Sequence, residues 1–140
     1  MSISRALMVA AGLVAGIAGP ALAHHSISGV YDVNKYVKFT GTIVKVEWIN
    51  PHSFVHVDTI DAKGEKVQWH FETVPTAFFR RQGVTKEMLM GKPGEIVTII
   101  GQPARDGTKH LAILAEITYS DGRHYKLGLD VVGTDVTTQH

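Results

Sequence analysis

The sequence predicts a small all-β protein with one short helix, in which a five-stranded barrel is followed by a short C-terminal strand. Three observations support this prediction. Apolar and polar residues alternate over several short segments, which is typical of strands with one buried face. A helix signal, from Pro75 to Gly83, stands between the third and fourth of these segments. The 140 residues are enough for one small domain with its own hydrophobic core.

The N-terminal residues 1–23 are predicted to be a secretory signal peptide. Arg5 precedes the apolar segment 6–18, and Ala21-Leu22-Ala23 fits a cleavage site. We therefore expect a periplasmic protein that begins at His24 and has no stable membrane span after cleavage. The alternative is that the segment is retained as an N-terminal anchor.

The charge balance and the absence of cysteine exclude several classes of function. Removing Arg5 from the 14 Lys and Arg residues leaves 13, which balances the 13 Asp and Glu residues. A nucleic-acid-binding protein needs a basic face, so we expect no nucleic-acid partner. Without cysteine, the chain has no disulfide, no thiolate metal site and no cysteine nucleophile.

The first two predicted strands, 37–49 and 53–60, lie on either side of a corner formed by Asn50-Pro51-His52. Pro51 cannot donate a hydrogen bond to a neighbouring strand, so the chain turns there. Gly41 is predicted to be a bulge or bend. The preceding residues, 24–36, show no clean period and are predicted to be an irregular arm with a turn at 32–35. The buried face of the two strands is predicted to hold Val44, Val46, Trp48, Val55 and Val57.

The register of the second and third strands follows from matching their apolar faces, because opposed residues in an antiparallel pair share a face. This leaves a three-residue loop, Ala62-Lys63-Gly64, with Gly64 at the position that needs a positive φ. A slip of one residue would destroy the apolar face. The predicted register pairs Phe54 with Glu72, Val55 with Phe71, His56 with His70, Val57 with Trp69 and Asp58 with Gln68.

The helix after the third strand is predicted from its end signals. Thr73 can cap it, Pro75 suits its first turn, and Gly83 suits the position after its end. Thr85 could cap a second helical turn, 86–90.

The remaining strands are predicted at 95–101 and 109–119, with a short strand at 123–127 and a flexible tail at 130–140. Three strands, a short helix and two strands is the order of an OB-fold, a partly open five-stranded barrel. We assign this domain to residues 24–129. A small β-sandwich is the rival architecture, but the position of the helix favours the barrel.

Seven segments together resemble a family of small exported bacterial proteins. They are Ala23-His24-His25-Ser26, Tyr31-Asp32-Val33-Asn34-Lys35, Gly41-Thr42-Ile43-Val44-Lys45-Val46-Glu47-Trp48, Asn50-Pro51-His52, Trp69-His70-Phe71-Glu72, Arg80-Arg81 and Lys92-Pro93-Gly94-Glu95. The family is domain of unknown function 6152, and the resemblance extends from His24 to about Leu127. It implies a periplasmic single domain and offers no established activity. More loosely, the pattern is similar to stress-associated periplasmic OB-fold proteins. The chain departs from the expected pattern at Ser53, where a larger apolar residue is expected.

Histidines form the main candidate metal site. After cleavage, the α-amine and Nδ1 of His24 can chelate one ion, and a second imidazole would complete a T-shaped nitrogen site that suits copper. The amine has a pKa near ~8 and imidazole near ~6.5, so both lose their protons readily at neutral pH. Copper or zinc is therefore a possible cofactor. The alternative is that these histidines are polar surface residues. Partner ligands for His24 are His25, His52, His56 and His70, of which the cross-strand pair His56 and His70 is preferred.

The corner and the helix provide candidate ligand-binding residues. Trp48 ends the first strand beside the corner, where a half-exposed indole could line a groove with Asn50 and His52. Arg80 and Arg81 could bind an anionic group, although such a pair is usually a solvated helix face. The strand carboxylates Glu47, Asp58 and Glu72 could join a metal site or form ion pairs, but we interpret them as residues of a solvated face. His110, His124 and His140 are interpreted as surface or tail residues.

The sequence has no nucleophile elbow, no phosphate-binding loop and no paired catalytic carboxylates, so we do not expect an enzyme. The leading hypothesis is a non-catalytic periplasmic OB-fold module that binds a protein or small-molecule partner. It would use the outer face of strands one to three and the loops around His52. The second hypothesis is a copper- or zinc-binding protein, and the third is an accessory subunit of a periplasmic oxidoreductase system.

Overall fold

The structure is a computed structural model that describes residues 27–127 and the backbone of Thr137 and Thr138. Its helices are α1 (Ile27–Val30), α2 (Thr76–Arg81) and α3 (Lys86–Met90). Its strands are β1 (Val37–Glu47), β2 (Phe54–Ile60), β3 (Lys66–Glu72), β4 (Ile96–Pro103), β5 (Leu111–Tyr119), β6 (His124–Lys126) and β7 (Thr137–Thr138).

Five strands close into a barrel in the order β1-β2-β3-β5-β4, with β4 returning to β1. Strands β3 and β5 are parallel, and the other neighbours in the ring are antiparallel. The short strand β6 pairs with β5 outside the ring, and β7 pairs with the start of β1. Helices α2 and α3 connect β3 to β4. This confirms the predicted five-stranded OB-fold-like barrel with an additional short strand.

The predicted hairpin register between β2 and β3 is confirmed. His56 lies opposite His70, and the four other predicted residue pairs are also present. Gly64 has φ +81°, and its backbone N–H donates to the carbonyl of Asp61 at 2.9 Å. The alternation of faces and the loop length were therefore sufficient to determine this hairpin.

Strand β1 changes neighbours at Gly41, which is opposite Thr59 of β2 and Val97 of β4. A Cβ atom at Gly41 would lie 2.2 Å from the carbonyl oxygen of Asp58, so this close approach requires glycine. The register shifts farther along, between Ile43 and Lys45, rather than at Gly41.

This shift makes the predicted core position of Val44 wrong. Ile43 is 4% exposed, whereas Val44 is 42% exposed. An extra residue in one strand reverses the side-chain alternation on either side of it, so Ile43 and Val46 both face the core. In the sequence, the adjacent apolar residues Ile43 and Val44 indicate this bulge.

The core fills the barrel and extends under the two helices that follow β3. Val55, Val57 and Phe71 are completely buried in the barrel, and Phe79 of α2 and Leu89 of α3 are completely buried at its end. The helices thus contribute large apolar side chains to the same core as the strands, and this contact holds α2 against the barrel.

The helices differ from the prediction at several points. Residues 27–30 of the predicted irregular arm form α1, and 86–90 form the separate helix α3. Thr85 caps α3 as predicted, because its side chain accepts from the N–H of Met88. Thr73 does not cap α2: Pro75 occupies the N-cap position, without a side-chain cap bond. The acceptor for this helix end comes from the corner, as described below.

Several predicted segments lie outside the described residues. They are the signal peptide 1–23, the candidate ligands His24 and His25, and the tail 130–140 apart from β7. The barrel falls within the predicted domain, 24–129. Among the described residues, no helix is both long and apolar enough to cross a membrane.

Candidate ligand-binding face and corner pocket

Strands β1, β2 and β3 present a polar outer face, opposite the side chains that enter the core. The pairing of β1 with β2 places Lys45 beside His56, and the pairing of β2 with β3 places His56 beside His70. Titratable side chains therefore form a row across three strands. We call this surface the outer face; its polar residues are Lys45, Glu47, His56, Asp58, Lys66, Gln68, His70 and Glu72.

His56 and His70 are in direct contact at the centre of the outer face. Their Nδ1 atoms are 2.6 Å apart, and their rings are nearly perpendicular, at 81°. The Nε2 of His56 is buried without a hydrogen bond, but Glu47 Oε1 lies 3.2 Å from it. Burial lowers the pKa of His56, with Glu47 opposing this shift and His70 and Lys45 adding to it. The pair therefore brings two imidazole nitrogens into close contact at the centre of the outer face.

Glu47 and Asp58 each form an ion pair on the outer face. Lys45 binds Glu47 and holds the pKa of that carboxyl below its ordinary value, with a smaller contribution from His56. Asp58 accepts from Gln68 Nε2 at 3.0 Å and lies 3.1 Å from Lys66 Nζ. These contacts are on exposed strand positions, where ion pairs contribute little to stability.

Glu72 joins the outer face to both the N-terminal arm and the corner. Its Oε2 accepts from the hydroxyl of Tyr31, and its Oε1 contacts Nδ1 of His52. Tyr31 is only 2% exposed, and burial together with the Glu72 contact raises the pKa of its hydroxyl well above the ordinary value. Tyr31 also bridges to Ala104, and this bridge fixes the arm across the end of the barrel.

A pocket of about 100 Å³ opens beneath His52 and Glu72. We call it the corner pocket. Its walls are mostly aliphatic. Of its three polar lining residues, Thr73 is buried, whereas His52 and Glu72 are more exposed and lie at the edge of the pocket. The lining residues are Ile27, His52, Glu72, Thr73, Val74, Pro75, Ile113, Leu114 and Leu127. An apolar cavity with a few convergent polar groups is the usual form of a small-ligand site.

Asn50 and Arg80 meet at Thr76, at the start of α2. Asn50 Oδ1 accepts from the backbone N–H of Thr76 at 3.3 Å and from its hydroxyl at 3.1 Å. Arg80 Nη2 donates to the same hydroxyl at 2.9 Å. The predicted ligand residue Asn50 therefore has a clear structural contact, because it supplies the acceptor that Thr73 does not. Its contact with a ligand stays a prediction.

The other predicted ligand residues are more dispersed. Trp48 is partly buried and stacks on Phe79, with ring centroids 5.2 Å apart, so much of its indole belongs to the core. Arg81 is exposed at the end of α2. Ser53, the departure at the corner, is fully buried and donates to the carbonyl of Ile49 at 3.1 Å. The structure thus brings His52 to Glu72 and leaves Arg81 on the surface.

Sequence reasoning missed Tyr31 and Ile27 as parts of the site. The arm has no hydrophobic period, and Tyr31 is 41 residues away from Glu72. The one available signal was the large apolar content of the arm, with Ile27, Val30 and Tyr31 in five positions. This content indicates a segment that packs on the barrel but does not indicate where.

A second concave surface lies on the side of the barrel where β1 changes neighbours. We call it the lateral groove. It has a volume of about 620 Å³ and includes the exposed side chains of Val44, Ile60 and Ile96. It shares no lining residue with the corner pocket.

Within residues 27–127, no group of three or more His, Asp or Glu side chains is placed to hold a metal ion. This part of the chain therefore offers two close nitrogen ligands, His56 and His70. The other two predicted metal ligands, His24 and His25, are outside the described residues.

Comparison with known proteins identifies one family. A model described as a family of unknown function (DUF6152) matches residues 11–112, which is more than half of the chain. No curated protein and no solved structure matches the chain.

Proposed function

The chain belongs to this family of unknown function, DUF6152, and on that premise we propose that it is a non-catalytic periplasmic binding module whose corner pocket takes an aliphatic amine. The observation that carries the proposal is the contact of Glu72 with both Tyr31 and His52 at the edge of an apolar pocket. The apolar walls favour a hydrocarbon chain, and the edge favours a hydrogen-bond donor.

The size of the corner pocket limits the apolar part of the ligand. A cavity of about 150 Å³ holds a benzene ring, and the corner pocket is smaller, at about 100 Å³. It therefore suits a chain of about four or five heavy atoms. The walls formed by Ile113, Leu114 and Leu127 are buried and aliphatic, so a short alkyl chain that enters the pocket transfers its own apolar surface from water to an apolar environment.

The polar edge of the pocket favours a donor over an acceptor. A carboxylate has about four lone-pair positions, and Tyr31 and His52 use two of those on Glu72. With the Nδ1 proton of His52 directed at Glu72, the neutral imidazole retains Nε2 as an acceptor. Both edge groups can then accept, and an ammonium group supplies three donors and a charge complementary to Glu72.

Tyr31 prepares Glu72 for this role. The tyrosine is buried and holds one carboxyl oxygen, so the Glu72 side chain is already oriented before the ligand arrives. Pre-orientation reduces the entropy lost on binding. A free primary amine fits this arrangement, because its alkyl chain can lie in the pocket while its ammonium group stays at the edge beside Glu72.

Three probes with the same four-carbon chain test the proposal: butylamine, butanol and butyrate. We expect affinity to fall in that order at pH 7.5, measured from the chemical shifts of the methyl groups of Ile113 and Leu114. Glu72→Gln should weaken butylamine binding by about tenfold or more, because a hydrogen bond to a charged group contributes about 1.5–3 kcal/mol.

The matched control is another histidine–carboxyl contact, between His124 and Glu116, whose Nε2 and Oε2 are 3.2 Å apart. Glu116→Gln removes a carboxylate of the same kind from a site that does not line the corner pocket. We expect this variant to bind butylamine as the natural protein does. Equal binding of butyrate and butylamine, or equal loss in both variants, would contradict the proposal.

A further inference from the structure

We propose that His56 and His70 bind a copper ion through their two Nδ1 atoms, on the outer face of the barrel. This site is separate from the corner pocket and does not depend on the proposed amine ligand. The inference rests on two features of the described residues: the approach of the two rings and the carboxyl group beside His56.

The hairpin brings the two imidazoles together through its register. His56 and His70 are directly opposite, and their Nδ1 atoms are 2.6 Å apart. A bond from a metal to an imidazole nitrogen is about 2.0–2.1 Å for zinc. Two such bonds of about that length at a right angle place the nitrogens roughly 2.9 Å apart. The two nitrogens are therefore within a few tenths of an ångström of the separation that two ligands of one ion need, and rotation of the rings would direct both at the ion.

Glu47 is placed to accept a hydrogen bond from Nε2 of His56, the ring nitrogen that would not bind the metal. Histidines that bind a metal through one nitrogen commonly donate the other N–H to a carboxylate, which fixes the ring and the tautomer. The Nε2 of His56 is buried without a hydrogen bond, and Glu47 Oε1 is 3.2 Å away. With a metal on Nδ1, Nε2 carries the proton and has an acceptor within reach. Lys45 holds Glu47 from the other side.

Copper fits this set of donors better than zinc. Imidazole nitrogen suits both ions, and for a given nitrogen site copper has the higher affinity.

The test is a calorimetric titration of the protein beginning at His24 with Cu²⁺ and, separately, with Zn²⁺. The variants are His56→Asn, His70→Asn and, as the matched control, His124→Asn. We expect each of the first two substitutions to weaken Cu²⁺ binding at least tenfold, and His124→Asn to leave it unchanged. Zn²⁺ should bind at least tenfold more weakly than Cu²⁺.

A second measurement uses only the natural protein, so it does not depend on the folding of a variant. Substoichiometric Cu²⁺ broadens the ring proton signals of the histidines that bind it. We expect the signals of His56 and His70 to disappear before those of His110 and His124. Unchanged affinity in both strand variants, tighter binding of Zn²⁺ than of Cu²⁺, or first broadening at His110 or His124 would each overturn the proposal.

Discussion

Asn50 and Thr76 are joined by two hydrogen bonds that fasten the β1–β2 corner to the start of α2. The side-chain oxygen of Asn50 accepts from both the N–H and the hydroxyl of Thr76. Because α2 lacks a side-chain cap of its own, a residue 26 positions earlier supplies the acceptor. This contact places the corner, and with it His52, at a fixed position beside the pocket.

Replacing Asn50 with alanine should destabilise the protein by about 1–2 kcal/mol, since it removes the acceptor at a helix start and leaves a buried donor on Thr76. Asn50→Asp is the control because it retains the acceptor oxygen. Urea unfolding measures both. If Asn50→Asp lowered the free energy of unfolding as much as Asn50→Ala does, the acceptor oxygen would not be what stabilises this contact.

Tyr31→Phe should destabilise the protein by about 1.5–3 kcal/mol, the usual contribution of a hydrogen bond to a charged group. The ring remains, so packing is largely conserved. In a double-mutant cycle with Glu72→Gln, the two changes should be coupled by at least about 0.5 kcal/mol, because the residues are in direct contact. Additive effects would mean that the hydrogen bond does not stabilise the arm. The cycle is measured by urea unfolding.

The stability of the protein should fall as the pH is lowered below about 6.5, the ordinary pKa of histidine. Burial lowers the pKa of His56 in the folded state, with His70 and Lys45 acting in the same direction and Glu47 against it. The unfolded chain then binds more protons than the folded one. The free energy of unfolding therefore decreases as the pH falls from about 6.5 through the folded-state pKa of His56.

Urea midpoints at pH 7.5 and 5.5, with a chelator present, measure this effect. His56→Asn should show a smaller decrease between the two pH values than the natural protein, and His124→Asn should show the same decrease as the natural protein. An identical decrease in His56→Asn would mean that His56 is not responsible.

A single glycine added before His24 should weaken Cu²⁺ binding by about tenfold or more, if the α-amine of His24 completes the site. The addition moves the amine away from the imidazole of His24 and leaves His56 and His70 unchanged. Calorimetry on the two proteins measures the difference. Equal affinities would show that the amine is not a ligand and would leave the strand histidines as the protein's contribution.

The parts of the fold that could be predicted are those fixed by local rules. The β2–β3 register followed from the alternation of faces and a loop with one glycine, and it placed His56 opposite His70 correctly. The bulge at Val44 was missed because residues 44, 46 and 48 also alternate. Only the adjacent Ile43 indicated that the side of β1 on which apolar side chains are buried is reversed at this point.

The parts of the site that could not be predicted depend on long-range packing. His52 was identified from its corner, but its contact with Glu72 joins that loop to the end of β3, and no local pattern in the sequence relates the two. Tyr31 contacts the same carboxyl group from the N-terminal arm, which has no hydrophobic periodicity. Likewise, no local signal indicated that Asn50 would supply the acceptor for α2. Tertiary contacts of this kind are determined by the closed barrel as a whole.

The most direct test of the proposed binding function is to detect contacts between butylamine and the protein by intermolecular nuclear Overhauser effects. The account predicts contacts from the alkyl protons to the methyl groups of Ile113, Leu114 and Leu127, which line the corner pocket. Contacts only to Val44, Ile60 and Ile96 of the lateral groove, or to neither set, would contradict it.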